Sequence, residues 1–265
     1  MSQVIAVANQ KGGVGKTTTA VNLSSALAER GYKVLVIDLD PQGNATSALG
    51  VDKHSVEVQA YDVLMNNVPI KDALQGTEIE GLHVLPTNIE LTGAELELVS
   101  LMSRETRLRA AIAPVRHQYD YIYIDTPPSL GLLTINSLTA ADSVLVPLQC
   151  EYYALEGLSS LMNTIDLVRR SLNPRLRISG ILLTMFDRRN RLSYQVETDV
   201  RTHGKDLVFN ACIPRNVRLS ESPSFGKPVL LYSSQCTGAM AYRAVADEVL
   251  NRDLAMQRIP RLEVA

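Results

Sequence analysis

Between an apolar run at residues 4–8 and a helix-like stretch at 16–30 the chain reads Asn9-Gln10-Lys11-Gly12-Gly13-Val14-Gly15-Lys16-Thr17-Thr18. A strand, a glycine-rich turn and a helix in that order suit one task, holding phosphate. Glycines let successive backbone N–H groups turn inward as an anion nest, and the helix start adds the positive end of its dipole. Lys16 is placed to reach β- and γ-phosphates and Thr17 to offer its hydroxyl to Mg²⁺, with Gly12, Gly13, Val14, Gly15 and Thr18 completing the cradle. The strict P-loop pattern asks for glycine six residues before the lysine, where this chain has Gln10, so the loop is a variant.

Phosphate binding alone hydrolyses nothing; a metal and a water need partners. Tyr121-Ile122-Tyr123-Ile124-Asp125 is an apolar strand ending in a carboxylate, the form of a Walker-B acid that holds a Mg²⁺ shell through water. Asp38 and Asp40 close a second strand, where alternation points both to one side. One or both are expected to face the phosphates, although an Asp at a strand end also serves as a turn residue or cap. No Glu or His lies within these motifs as a strong base, so hydrolysis is expected to be slow.

These groups need a frame. Val/Ile-rich runs at 4–8, 34–38, 82–86, 121–125, 144–148, 178–185 and 208–213 are continuous rather than alternating, which predicts strands covered on both faces. Helical patterns at 16–30, 103–117, 132–141, 155–171 and 239–252 lie between or after them. The prediction is an α/β fold, a mostly parallel doubly wound sheet with helices on both faces and ligands at the C-terminal strand ends. The chain, 265 residues and 46% hydrophobic, is expected to form one P-loop domain, with 43–81 an irregular excursion off the sheet and 251–265 a loosely ordered tail. Apolar runs are too short to span a bilayer, and the N-terminus lacks a basic region with a cleavage site, so a cytoplasmic chain is expected. Three cysteines without a C-x-x-C pair argue against a disulfide framework, a zinc site or an iron–sulfur cluster.

Lys11-Gly12-Gly13-Val14-Gly15-Lys16-Thr17, with its extra Lys11, resembles the deviant Walker A of the ParA/MinD ATPases. Asp38-Leu39-Asp40-Pro41-Gln42-Gly43-Asn44, Asp125-Thr126-Pro127-Pro128-Ser129-Leu130-Gly131, Gln149-Cys150-Glu151-Tyr152-Tyr153-Ala154-Leu155-Glu156-Gly157 and Ile213-Pro214-Arg215-Asn216-Val217-Arg218-Leu219-Ser220-Glu221 look like the chromosomal ParA (Soj) branch, over about residues 2–250. The resemblance implies an ATP-dependent homodimer in which each Lys11 crosses to the partner's phosphates and Gly12 sits where the two loops face each other. It implies that Asp40 positions or activates the attacking water, so that Lys11, Lys16 and Asp40 are catalytic. Asp38 and Asp125 join Thr17 in the metal shell. It places adenine near Pro214 and Asn216, where a flat apolar ring and an amide suit a purine edge.

Charge is unevenly spread. Residues 1–168 hold 10 Lys/Arg and 19 Asp/Glu, whereas 169–227 hold 12 and 5. Within that basic stretch the family resemblance assigns Arg189, Arg218 and Lys227 to non-specific contacts with double-stranded DNA, which fits cations with few interleaved aromatics. It also implies a ParB-type centromere-binding partner that accelerates hydrolysis, a nucleoid-associated location and work in chromosome or plasmid segregation, with a replication initiator as a further candidate partner. Two other readings stand beside it: a MinD-like membrane ATPase and a nucleotide-dependent regulator of replication or transcription. A membrane anchor needs an amphipathic C-terminal helix, and the tail from Asn251, with no aromatic and with Pro260, does not supply one.

Overall fold

A computed structural model describes residues 2–151 and 154–258. Its first half alternates strand and helix around β1 (Gln3–Val7): α1 (Lys16–Ala28), β2 (Val34–Asp38), α2 (Asn44–Ala48), α3 (Ala60–Met65), α4 (Ile70–Ala73), β3 (Gln75–Gly76), β4 (Leu82–Leu85), α5 (Leu91–Glu97) and α6 (Arg107–Ile112). The remainder contributes β5 (Tyr121–Asp125), α7 (Leu132–Ala140), β6 (Ser143–Gln149), α8 (Ala154–Ser171), β7 (Arg177–Thr184), α9 (Arg191–Gly204), α10 (Val217–Glu221), α11 (Val229–Tyr232) and α12 (Thr237–Arg258). The strands pair in the order β3-β4-β2-β5-β1-β6-β7, all parallel except β3, which runs antiparallel to β4 at the edge.

Alternate residues of each strand enter two separate cores. Val4, Ala6, Leu35, Ile37, Ile122, Ile124, Val144 and Val146 pack beneath α3, α5, α6, α7, α8 and α9. Their neighbours Ile5, Val7, Val34, Val36, Tyr121, Tyr123 and Leu145 face α1, α2, α11 and α12. Burial on both faces is why these strands read as unbroken apolar runs. In-register parallel pairing of β1, β2 and β5 brings Val7, Asp38 and Asp125 to one level at the C-terminal edge.

Several expected boundaries shift. Residues 208–213 form no strand: Val208 makes an isolated bridge to Ile181, Pro214 just beyond makes another to Phe186, and Phe209 N and Ile213 N donate to the Ile181 and Leu183 carbonyls at 2.9 and 2.8 Å. The N–H groups of Asn210 and Ala211 donate instead to the Glu248 carboxylate at 2.9–3.2 Å, and the Phe209 ring fills the space a Cβ on Gly180 would need. The 103–117 helix is shorter, with α6 flanked by 3₁₀ turns at Arg104–Thr106 and Arg116–Gln118, because Pro114 ends it. The 43–81 segment is no detour: α2 packs on β2, and β3 returns to the sheet. The stretch from 251, expected as loose tail, is helical to Arg258; Arg252 pairs with Glu248 and stacks over Phe209, while Asp253 accepts from the Tyr121 hydroxyl at 2.7 Å. Tyr152 and Tyr153 of the quoted motif, and residues 259–265 of the tail, lie outside the described residues.

Candidate nucleotide and metal site

The turn between β1 and α1 depends on two left-handed glycines, Gly13 (φ +73°) and Gly15 (φ +87°), a region that side chains avoid. Gly15 caps α1 and has no side chain to accept from the first helical N–H groups, which therefore remain available to an anion. The loop is anchored on both sides. Val14, buried, accepts a hydrogen bond through its carbonyl from the Thr184 hydroxyl at 2.8 Å, and Asn9 donates to the Pro147 carbonyl at 2.7 Å. Thr18 lies on the first turn of α1, its carbonyl bound by Asn22 at 2.8 Å.

Lys16 is 6% exposed, and its Nζ donates to the Lys11 carbonyl at 3.3 Å. Burial pushes its pKa down, and the negative charges of Asp125 and Asp40 pull it back up. The ammonium group is thus buried at the start of α1, on the Lys11 carbonyl and within the field of two carboxylates. Asp38 and Asp125 stand side by side on β2 and β5, both fully buried. Asp38 spends both oxygens within the protein: Oδ1 accepts from Asp40 N at 3.2 Å, Oδ2 from Thr46 N at 2.8 Å and Thr46 Oγ1 at 2.7 Å. Burial nonetheless pushes its pKa up to about 6, with the Asp40 charge adding to the rise and the Thr46 bonds opposing it. Asp40 follows in the turn, accepting from Gln42 N at 3.0 Å.

Asp125 is different. The Thr17 hydroxyl is near enough to lower its pKa, yet no hydrogen bond of good geometry reaches either buried oxygen. Burial first, and Asp38 and Asp40 next, raise its pKa well above the ordinary carboxylate range. A buried carboxylate without donors is costly unless a cation satisfies it. Thr17 and Asp125 therefore fit a divalent ion in chemistry and placement. Among the described residues no group of three or more His, Cys, Asp or Glu could hold a metal alone, so phosphate oxygens and water would have to complete its shell.

Lys11 turns away from its own loop. Its Nζ forms an ion pair with Glu151 Oε2 at 2.8 Å, and the Gln149 amide holds the other Glu151 oxygen. Gly12 beside it is open: a Cβ there meets nothing within 4 Å. Pro214 bridges to Phe186, two residues past the Thr184 that pins the P-loop. Asn216 caps α10, accepting from Arg218 N at 2.8 Å, and donates to Thr237 Oγ1 at 2.7 Å, so its amide is already engaged. The basic candidates do not form one cluster. Arg189, 88% exposed, pairs with Asp187, whose carboxyl it holds down to about 2, at a groove of about 1130 Å³ that Arg188 and Arg215 also line. Arg218 pairs with Glu221, and Lys227 pairs with Glu78 beside a cleft lined by Thr17, Thr18 and Asn44. Sequence reading missed Thr46, Thr184 and the pairing of Glu151, each set by contacts across 8 to 170 residues.

Residues 2–178 match the model of the AAA domain family. Along 253 residues the chain is 56% identical to the chromosome partitioning protein ParA of Caulobacter vibrioides, covering 95% of each. It is 55% identical over 249 residues to the sporulation initiation inhibitor protein Soj of Bacillus subtilis, covering 94% of this chain and 98% of that one. Among solved structures, cobyrinic acid a,c-diamide synthase from Mycobacterium smegmatis with bound ATP analogue and magnesium superposes with a TM-score of 0.85 at 41% identity, over 98% of this chain and 99% of that one. With the variant P-loop at the end of β1, the carboxylates of β2 and β5 beside it, and identity above one half over nearly the whole length, the chain belongs to the ParA/Soj family of chromosome-partitioning ATPases.

Proposed function

We propose that this protein is a Mg²⁺-dependent ATPase that dimerises around ATP, binds double-stranded DNA without sequence preference and is released when a ParB-type partner accelerates hydrolysis. The observation that carries the reading is the buried, donor-less Asp125 carboxylate beside Thr17, with the buried Lys16 at the start of α1 in the field of Asp125 and Asp40. Thr17 and Asp125 hold the metal shell; Asp38, saturated by Thr46 and the Asp40 backbone, fixes the turn that carries Asp40. When bound, Mg²⁺ neutralises charge on the β- and γ-phosphate oxygens. Lys16 reaches the phosphates of its own site, and Asp40 orients water there.

Lys11 supports the dimer. Its side chain is 39% exposed and, among the described residues, is tied to a half-exposed glutamate, a pairing that water screens and that is readily exchanged for a triphosphate. Crossing to a partner's site would place a second cation where negative charge develops, the task of an arginine finger elsewhere. Pro214 offers a flat face for adenine, with Asn216 holding its loop. Arg189, with Arg188 and Arg215 along the same groove, offers the DNA-facing cations; Arg218 and Lys227 extend them only by leaving Glu221 and Glu78. This reading makes the protein a slow timer of chromosome segregation at the nucleoid. DNA co-sedimentation with ATP, with ADP, and with ATP plus the cognate ParB tests it. Pelleting with ATP alone, lost on adding ParB, is expected; nucleotide-independent pelleting overturns the reading. Lys16→Ala should bind neither nucleotide nor DNA, checked by equilibrium dialysis against labelled ATP.

A further inference from the structure

A second carboxylate bears on the Asp125 loop from outside the quoted motifs. Residues 126–130 lead from Asp125 to α7, pinned by Thr126 Oγ1 donating to the Val7 carbonyl at 2.9 Å and by Thr134 Oγ1 donating to the Ser129 carbonyl at 2.6 Å. The loop ends at Gly131, which caps α7 without a side-chain acceptor, and the first turn of α7 has no acidic residue. An α-helix start so composed lacks the negative group that its unpaired N–H groups and dipole favour. Glu95, on α5, brings a carboxylate against Gly131 at this end, with no helix N–H donating to its Oε1. Its Oε1 is buried without a hydrogen-bond partner, and a Cβ on Gly131 would fall 2.1 Å from that oxygen and 3.0 Å from the carboxyl carbon. Gly131 has φ −79° and ψ −171°, so its backbone would accept a side chain; the Glu95 carboxylate is what a Cβ there would have to displace.

We infer that Glu95 is a positioning residue for metal-dependent nucleotide binding: lodged against Gly131, its carboxylate fixes the far end of the loop that begins at Asp125. The inference rests on the reading of Asp125 as a metal-side acid. Leu91 and Leu98, one turn before and one turn after Glu95 on the same face of the α5 segment, are buried in the core with Ala94, so Glu95 is aimed by packing. A residue at Gly131 and the side chain at 95 must then act as one unit, which a double-mutant cycle detects.

The measurement is binding of a fluorescent ATP analogue to the full chain as Mg²⁺ is titrated, on the parent, Gly131→Ala, Glu95→Ala and the double variant. Gly131→Ala should raise the half-saturating Mg²⁺ about fivefold in the parent and less than about twofold in the Glu95→Ala background. An equal factor in both backgrounds, or none in the parent, overturns the inference. Should Gly131→Ala fail to fold, Glu95→Asp withdraws the same carboxylate by one methylene. It should raise half-saturating Mg²⁺ about threefold at an unchanged melting temperature, and an unchanged Mg²⁺ dependence overturns the inference. Asp125→Asn separates the two readings. If it leaves the Mg²⁺ dependence intact, the metal-side reading of Asp125 fails. If it abolishes that dependence while the cycle is additive, only the role of Glu95 fails.

Discussion

Asp38 and Asp125 are poor residues for stability, which makes their placement informative. Two carboxylates at adjacent strand ends, fully buried and beside Asp40, disfavour their charged forms. For Asp38 the folded pKa of about 6 lies above the ordinary 3.8. The folded chain then binds protons more readily than the unfolded one in this interval. The stabilisation from Asp38 is complete below about pH 3.8 and is lost as pH rises through about 6. Asp125 has the same sign, its pKa also being raised by burial. Asp125→Asn should therefore melt at a higher temperature than the nucleotide-free parent at pH 7.5, and the difference should shrink as pH falls. The same variant should lose the Mg²⁺ dependence of nucleotide binding. Melting curves at several pH values, without metal, check the first claim; a lower melting temperature at pH 7.5 would show that Asp125 is satisfied in the isolated chain. Strain of this sort is what a site built for a cation and its phosphates accepts before they bind.

At the scale of elements, α12 does more than cover α1. Glu248 receives the N–H groups of Asn210 and Ala211 and pairs with Arg252, whose guanidinium stacks 4.1 Å from the Phe209 ring centroid. The side chains of Glu248 and Arg252 are 15% and 22% exposed, so little water replaces a lost partner. Glu248→Ala should cost about 1–3 kcal/mol, read by urea unfolding, with Glu248→Gln losing less because it can still accept. If both variants unfold like the parent, the 208–213 segment is held by its apolar contacts and its backbone hydrogen bonds to Ile181, Leu183 and Phe186, without need of Glu248. This segment also shows what was legible beforehand. Residues 34–38 and 121–125 were placed to the residue because continuous Val, Ile and Tyr between turns means burial on both faces. Residues 208–213 carry the same composition, yet the N–H groups of Asn210 and Ala211 in their middle are claimed by a carboxylate 37 or 38 residues away, which no local pattern signals. The P-loop, Asp38, Asp40 and Asp125 were legible because glycine turns and strand-terminal acids are local features. Glu95 against Gly131, and Glu151 on Lys11 across 140 residues, belong to the packed fold. α5 went unread because only Leu91, Ala94 and Leu98 face the core, while Leu96 is 78% exposed and blurs the helical stripe.

For the molecule as a whole, the decisive question is whether one chain completes the site. Within a single chain Gly12 has no evident reason to be glycine. It is absent from the positive-φ glycines of the loop, and a Cβ would meet nothing within 4 Å, in contrast to Gly13 and Gly15, whose φ values of +73° and +87° exclude most side chains. A larger residue at 12 should therefore fold normally and leave the nest N–H groups and Lys16 in place. If a second copy brings its own loop against this one around ATP, the added side chain meets that loop, and the closed interface cannot tolerate the bulk. Gly12→Leu should thus melt within about 2 °C of the parent, as expected for an exposed change. It should bind ATP in the presence of Mg²⁺ with near-parental affinity, and stay monomeric in sedimentation velocity with a slowly hydrolysed analogue under conditions where the parent dimerises. DNA co-sedimentation should fall with the dimer, because cations paired with Asp187, Glu221 and Glu78 leave each single chain a weak polyanion binder. A Gly12→Leu protein that still dimerised on ATP would place the two loops apart, and Lys11 would then have no phosphate to cross to.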